Sequence, residues 1–203
     1  MKRYCAKKVT GTPDWEDCPS AFLEEKYRLT PPGTDAEAQL AWTDDKLLVH
    51  LRAYVSEIRA EEKGPTGSPC EDSCLEFFFC PVPGDTRYFN IEFNYNGCVY
   101  LGFASGLSNL VRLLPEGGCE QIFHPEIKRT PDGWEIFYEI PFDFIRRFLP
   151  EARPAAGNVI KANFYACSDL SNPPYYISWS PVRSERFTFH NTDNFGEVVF
   201  ETD

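Results

Sequence analysis

At 203 residues the chain has the length of one domain and can bury a substantial core, for which its 17 Phe, 10 Tyr and 4 Trp supply an aromatic-rich interior. Its 31 acidic and 20 basic residues give a formal charge of −11. That balance argues against nucleic acid and against an anionic membrane surface as partners, because both repel an acidic protein.

The first fifteen residues, MKRYCAKKVTGTPDW, carry basic side chains with no apolar stretch behind them. They do not read as a secretory leader, no later run is long enough to span a bilayer, and a cytoplasmic location is the expectation. Residues 20–27 give a weak helical signal. AQLAW (38–42) and KLLVHLRAYV (46–55) flank Thr43-Asp44-Asp45, which predicts a hairpin. CLEFFFCPV follows, then the turn PGDT, RYFNIEFNYN, the turn Asn96-Gly97 and CVYLGFA. Asn-Gly is the strongest short hairpin signal in the chain. QIFHPEIKR and WEIFYEI flank the turn TPDG, and PFDFIRRFLPE (141–151) predicts a short helix bounded by prolines. NVIKANFYAC, YYISWSP and EVVFE complete about ten strands. The pattern predicts a single all-β domain over residues 1–203, an antiparallel β-sandwich or jelly roll with one or two short helices.

Eight cysteines stand at positions 5, 18, 70, 74, 80, 98, 119 and 167, enough for four disulfides. They lack C-x-x-C pairs, and a chain of this size does not need covalent staples. Several lie inside apolar strands, where a free thiol packs as a small hydrophobe, so reduced cysteines are expected and no metal ligands are assigned.

Side chains alternate faces along a strand, which sorts the two sides of the sheet. Leu75, Phe77 and Phe79 share a face with Phe89, Ile91, Phe93, Val99, Leu101, Phe103, Ala162, Phe164 and Ala166. This uniformly apolar set is the predicted core. The opposite face carries Cys74, Glu76, Phe78, Asn90, Glu92, Asn94, Tyr100, Asn163, Tyr165 and Cys167. A solvated sheet face is one account of it. Carboxylates and amides interleaved with aromatic rings are also what a sugar needs: partners for vicinal hydroxyls, and flat apolar surfaces for the C–H face of the ring. Glu76 and Glu92 admit a second reading, as the carboxyl pair of a glycoside hydrolase. Trp179 alternates with Ile177 and Tyr175 and fits core packing better than sugar stacking, His190 lies in a turn-like stretch, and His50 and His124 are isolated.

DSCLEFF (72–78), YFNIEFN (88–94), NFYACSD (163–169) and PYYISWSPV…FTFHNTDNFGEVVF (174–200) occur in that order. Together they resemble the family 9-like carbohydrate-binding domains, relatives of modules attached to xylanases. The resemblance implies a β-sandwich that grips a sugar, in the xylanase modules a chain end, between two aromatic rings. It implies that Glu76, Asn90 and Glu92 bond sugar hydroxyls and that Phe189, with His190 beside it, supplies one ring. Trp179, Asn94, Asn163 and Tyr165 are further candidates. The other ring of the xylanase modules is a Trp whose position falls at or near Cys70, a departure that bears on xylan or cellulose recognition. The resemblance also implies a structural calcium, to which no ligands are assigned. The leading expectation is non-catalytic carbohydrate binding. The alternatives are a glycoside hydrolase using Glu76 and Glu92, or a protein-interaction module that has lost its sugar.

Overall fold

The computed structural model describes residues 1–28 and 30–202. Their strands are β1 (Arg3–Lys8), β2 (Ala21–Phe22), β3 (Glu25–Tyr27), β4 (Asp35–Trp42), β5 (Lys46–Tyr54), β6 (Cys74–Cys80) and β7 (Tyr88–Asn94), then β8 (Val99–Ala104), β9 (Val111–Arg112), β10 (Glu126–Thr130), β11 (Gly133–Pro141), β12 (Val159–Ser168), β13 (Tyr175–Ser178) and β14 (Gly196–Phe200). Two short helices, α1 (Glu120–Phe123) and α2 (Phe142–Phe148), flank β10 and β11. Hydrogen bonding runs in the order β10-β11-β5-β4-β1-β14-β12-β6-β7-β8-β9, a continuous sheet that curls over on itself.

The hairpins sit where the turn residues place them. Thr43 N–H donates to the Lys46 carbonyl at 2.9 Å and closes β4 onto β5. Gly97 follows β7 at a φ of 79°, the left-handed conformation that glycine adopts without steric cost, and Asn94 pairs with Cys98 across the loop. TPDG brings Thr130 opposite Gly133 at the β10–β11 corner.

Among the described residues, the expectation of an antiparallel sheet holds for every pairing but two. β1 runs parallel to β14 through Arg3–Ala6 and parallel to β4 through Lys7 and Lys8, so the sheet is mixed. Parallel neighbours cannot be joined by a tight turn, so these pairings leave no hairpin signal in the sequence. Two other elements differ from expectation. Residues 20–27 hold the short strands β2 and β3 in place of a helix, and residues 120–123 form a helical turn where a strand was predicted. His124, at a φ of 45°, ends that turn before β10 begins. The helix predicted within 141–151 is α2, with Phe142, Phe144 and Ile145 buried.

The two halves of the curled sheet close on one apolar core. Leu40, Val49, Leu51 and Ile136 come from one half and Leu75, Phe77, Ile91 and Phe164 from the other, all essentially without solvent contact. Phe77 stacks on Phe79 at 4.8 Å and on Phe164 at 5.0 Å between ring centroids. Burying each such ring contributes about 1.5–3 kcal/mol, before the entropy of ordering it is subtracted.

The opposite face of β6 and β7 is also covered: every residue of both strands is buried. A smaller core of Phe78, Tyr88, Tyr165 and Phe195 packs there under Val182 and Phe189. The predicted second face is therefore the floor of a covered site.

Candidate functional site

Strand register assembles the floor. Glu76 of β6 lies opposite Glu92 of β7 on one side and Tyr165 of β12 on the other. Phe78 is flanked in the same way by Asn90 and Asn163, and Cys74 by Asn94 and Cys167. Alternation placed these side chains on one face, and register sets them in rows.

Two segments form the walls. The turn Pro69–Glu71 is tied to the end of β12 by Asp169 N–H donating to the Cys70 carbonyl at 2.8 Å and Leu170 N–H to the Glu71 carbonyl at 3.1 Å. The loop leading into it is anchored on Asp72, which has no solvent exposure. One Asp72 oxygen accepts from the backbone of Glu61 (2.8 Å) and Glu62 (2.7 Å) and from the Asn94 amide (2.8 Å). The other lies 3.3 Å from the Arg59 guanidinium. The second wall is the stretch after β13 that carries Phe187, Phe189 and His190. The Phe189 ring lies flat on Tyr165, and the His190 Nδ1 is paired with the Tyr88 hydroxyl at 2.9 Å.

Between floor and walls is a cleft of about 290 Å³ lined by Cys70, Glu76, Glu92, Cys167, Asp169, Tyr176 and the wall residues, with Arg28 at its edge. The Arg28 guanidinium stands over the rings of Tyr176 and Phe187 at 4.5 and 4.9 Å. Aromatic rings and three carboxyl groups thus share one small volume.

The two glutamates do not behave as ordinary carboxylates. Burial, and then the Glu92 carboxyl beside it, push Glu76 well above the usual carboxylate range. Burial raises Glu92 to about 7, held down by the Asn90 amide, which donates to it at 2.8 Å, and by the Arg112 guanidinium. The Cys167 thiol donates to Glu76 Oε1 at 2.9 Å. Both shifts favour a proton retained on the pair, which then offers a donor from one residue and acceptors from its neighbour. Burial also drops His190 to about 4, so that its imidazole is neutral.

Of the candidates read from sequence, Glu76, Glu92, Phe189 and His190 line the cleft. Asn90 lies under it and positions Glu92. Tyr165 lies beneath Phe189 and donates its hydroxyl hydrogen to the Phe189 carbonyl at 3.2 Å. The structure does not bring the other three to the cleft. Trp179 is 4 % exposed, in the main core, 5.6 Å from the Phe164 ring. Asn163 is spent on backbone, donating to the Ser180 carbonyl at 2.9 Å and accepting from Ser180 N–H at 2.8 Å. Asn94 holds the Asp72 loop and accepts from Cys98 N–H at 2.9 Å. The two asparagines are polar on the correct face, but their capacity is consumed by neighbouring chain segments.

Sequence reading passed over Asp169, Tyr176, Phe187 and Arg28 as site residues. The first follows a strand end and the third lies in a loop, where alternation says nothing. Tyr176 lies on β13, whose pairing with β12 puts it opposite Cys167. Calcium takes about six to eight oxygen ligands. Among the described residues, the His, Cys, Asp or Glu side chains that converge closely enough to share an ion are Cys74, Glu76 and Cys167, whose two sulfurs do not suit calcium.

The profile of carbohydrate-binding family 9 matches residues 25–200. A comparison with curated proteins finds no match. Among solved structures, a protein from Bacteroides uniformis named as a candidate carbohydrate-binding protein is 26 % identical, with a TM-score of 0.83 over 98 % of this chain and 99 % of that one. A family 9 carbohydrate-binding module from Caldicellulosiruptor kristjanssonii, solved with glucose, is 16 % identical with a TM-score of 0.71 over 100 % of this chain and 97 % of that one. Its counterpart solved with cellotriose, also 16 % identical, gives 0.72 over 100 % and 95 %. The latter two share the fold of this chain.

Proposed function

The chain belongs to carbohydrate-binding family 9, and we propose that it binds carbohydrate, without cleaving it, in the cleft between Glu76, Glu92 and Phe189. The observation that carries this reading is the meeting of hydroxyl-bonding carboxyls with aromatic rings in one small hollow. Relatives of the same fold are solved with glucose and cellotriose. A pyranose presents both surfaces that such a hollow satisfies: equatorial hydroxyls in one plane and an apolar C–H face.

The cleft volume of about 290 Å³ is at the low end of the roughly 300–1,000 Å³ of small-ligand sites. It suits one or two sugar units, a monosaccharide or the end of a chain, rather than a long internal stretch. Glu76 and Glu92 are cross-strand neighbours on a single floor. A glycoside hydrolase needs its two carboxyls on either side of the scissile bond, one near the leaving oxygen and one at the opposite ring face. Two acids reaching up from the same sheet meet the ligand from one side, which favours binding over hydrolysis.

The test is a glycan array on the purified protein, followed by calorimetry on the best ligand and a reducing-sugar assay on the same ligand. Saturable binding to a related group of glycans, with no sugar released, is expected. Silence across the array, together with a co-purifying protein, would replace this reading with a protein-docking one.

A further inference from the structure

Cys74 and Cys167 are 93 positions apart in the chain but face each other across β6 and β12. Glu76 is two residues beyond Cys74 on the same face. The ligand atoms of the three side chains lie within 4.8 Å of one another, and all three residues are buried, at 0 %, 2 % and 2 % exposure. The contact between Cys167 Sγ and Glu76 Oε1, at 2.9 Å, is close for a sulfur donor. Cys167 and Glu76 also border the cleft, as does Cys70.

We propose that Cys74, Glu76 and Cys167 form a binding site for a soft divalent ion such as zinc, on the floor of the cleft. Two thiolates and a carboxylate are a zinc donor set, and the preference of zinc for sulfur separates it from calcium and magnesium. Bonds of about 2.0–2.3 Å put tetrahedral ligand atoms roughly 3.5 Å apart, so side-chain adjustments of about 1 Å close the present arrangement around an ion. The fourth position opens toward the cleft, where Cys70, a water or a ligand hydroxyl completes the tetrahedron. A divalent cation offsets most of the negative charge of two thiolates and a carboxylate where water cannot reach them.

This inference shares Glu76 with the proposed sugar site, but its test reads the metal alone. Cobalt(II) chloride is titrated into the full-length protein, stripped with chelator and kept reduced with a phosphine. The expected result is one equivalent of cobalt bound, with a thiolate-to-metal charge-transfer band in the near ultraviolet and intense tetrahedral ligand-field absorption, both abolished by zinc chloride. Cys167→Ser and Cys74→Ser each remove the charge-transfer signature, whereas Cys98→Ser and Cys119→Ala leave it unchanged. Should either serine variant fail to fold by circular dichroism, Glu76→Gln keeps both sulfurs and decides. Outer-shell losses already cost metal sites about 10–100-fold, so loss of a direct ligand weakens cobalt by at least that much. A folded, reduced protein that gives no charge-transfer band overturns the proposal, and so does a band that survives in the Cys74→Ser/Cys167→Ser double variant. Failure of every sugar to bind would leave the cobalt result untouched.

Discussion

The ring of Phe189 lies flat on that of Tyr165, with centroids 4.0 Å apart and planes inclined by 14°. The Tyr165 hydroxyl also bonds the Phe189 backbone, so a residue from an irregular loop is held on β12 from below. An offset-stacked pair contributes about 0.5–1.5 kcal/mol beyond its buried area. The aromatic wall of the cleft is thus preorganised although no regular element carries it.

Removing that wall tests its role. Phe189→Ala is expected to weaken glycan binding by about tenfold or more, equivalent to roughly 1.4 kcal/mol, with unfolding still cooperative. Calorimetry on the array-selected glycan checks this, and unchanged affinity in a folded variant would remove Phe189 from the site.

Glu92→Ala takes away the main acceptor and leaves the Asn90 amide without the partner it bonds at 2.8 Å. Sugar binding is expected to disappear while the circular dichroism spectrum is retained. A folded Glu92→Ala protein that binds normally would sink the assignment of the cleft.

Gly102 lies opposite Asn90 in the β7–β8 pairing, and a methyl group there would overlap the Asn90 amide. Gly102→Ala is expected to cost roughly 1–3 kcal/mol by overpacking, and much of this should return in the double variant with Asn90→Ala. Chemical denaturation of the four proteins supplies the cycle. Strict additivity would show that the overlap is relieved elsewhere.

Asp72 is buried and holds three N–H donors and a guanidinium. Replacing it with Ala strands those groups, at a cost of about 3–5 kcal/mol. The loop that bears Cys70 should then exchange its amide hydrogens faster than the core strands do. Uniform exchange rates across loop and core would argue against a local anchor.

The His190 imidazole is held neutral by burial, its pKa lowered from 6.5 to about 4. The unfolded chain therefore binds the extra proton first, and the contribution of His190 to stability is lost as pH falls from 6.5 toward 4. Its share is about 3 kcal/mol at the lower limit. His190→Gln should flatten that part of the stability profile relative to the parent protein. Superimposable profiles would show that other groups account for the acid sensitivity.

Alternation along Cys74–Cys80 and Tyr88–Asn94 was legible from residue types alone, because a pleated strand must send successive side chains to opposite faces. It was enough to separate the Phe77 face from the Glu76 face, and the turn residues at Asn96-Gly97 and TPDG were enough to place two hairpins. The ordered motifs from DSCLEFF to FGEVVF pointed to the right family. Tertiary structure decided the rest. Asn163, Asn94 and Tyr165 have the same pattern as Asn90 and Glu92, but whether a polar group serves a ligand or the protein depends on which distant backbone reaches it first. Ser180 takes Asn163, Asp72 takes Asn94, and Phe189 covers Tyr165. The parallel docking of β1 and the meeting of Cys74 with Cys167 arise from pairings between segments far apart in the chain. Local sequence determines which face a side chain occupies, whereas only register and closure of the sheet determine its neighbours.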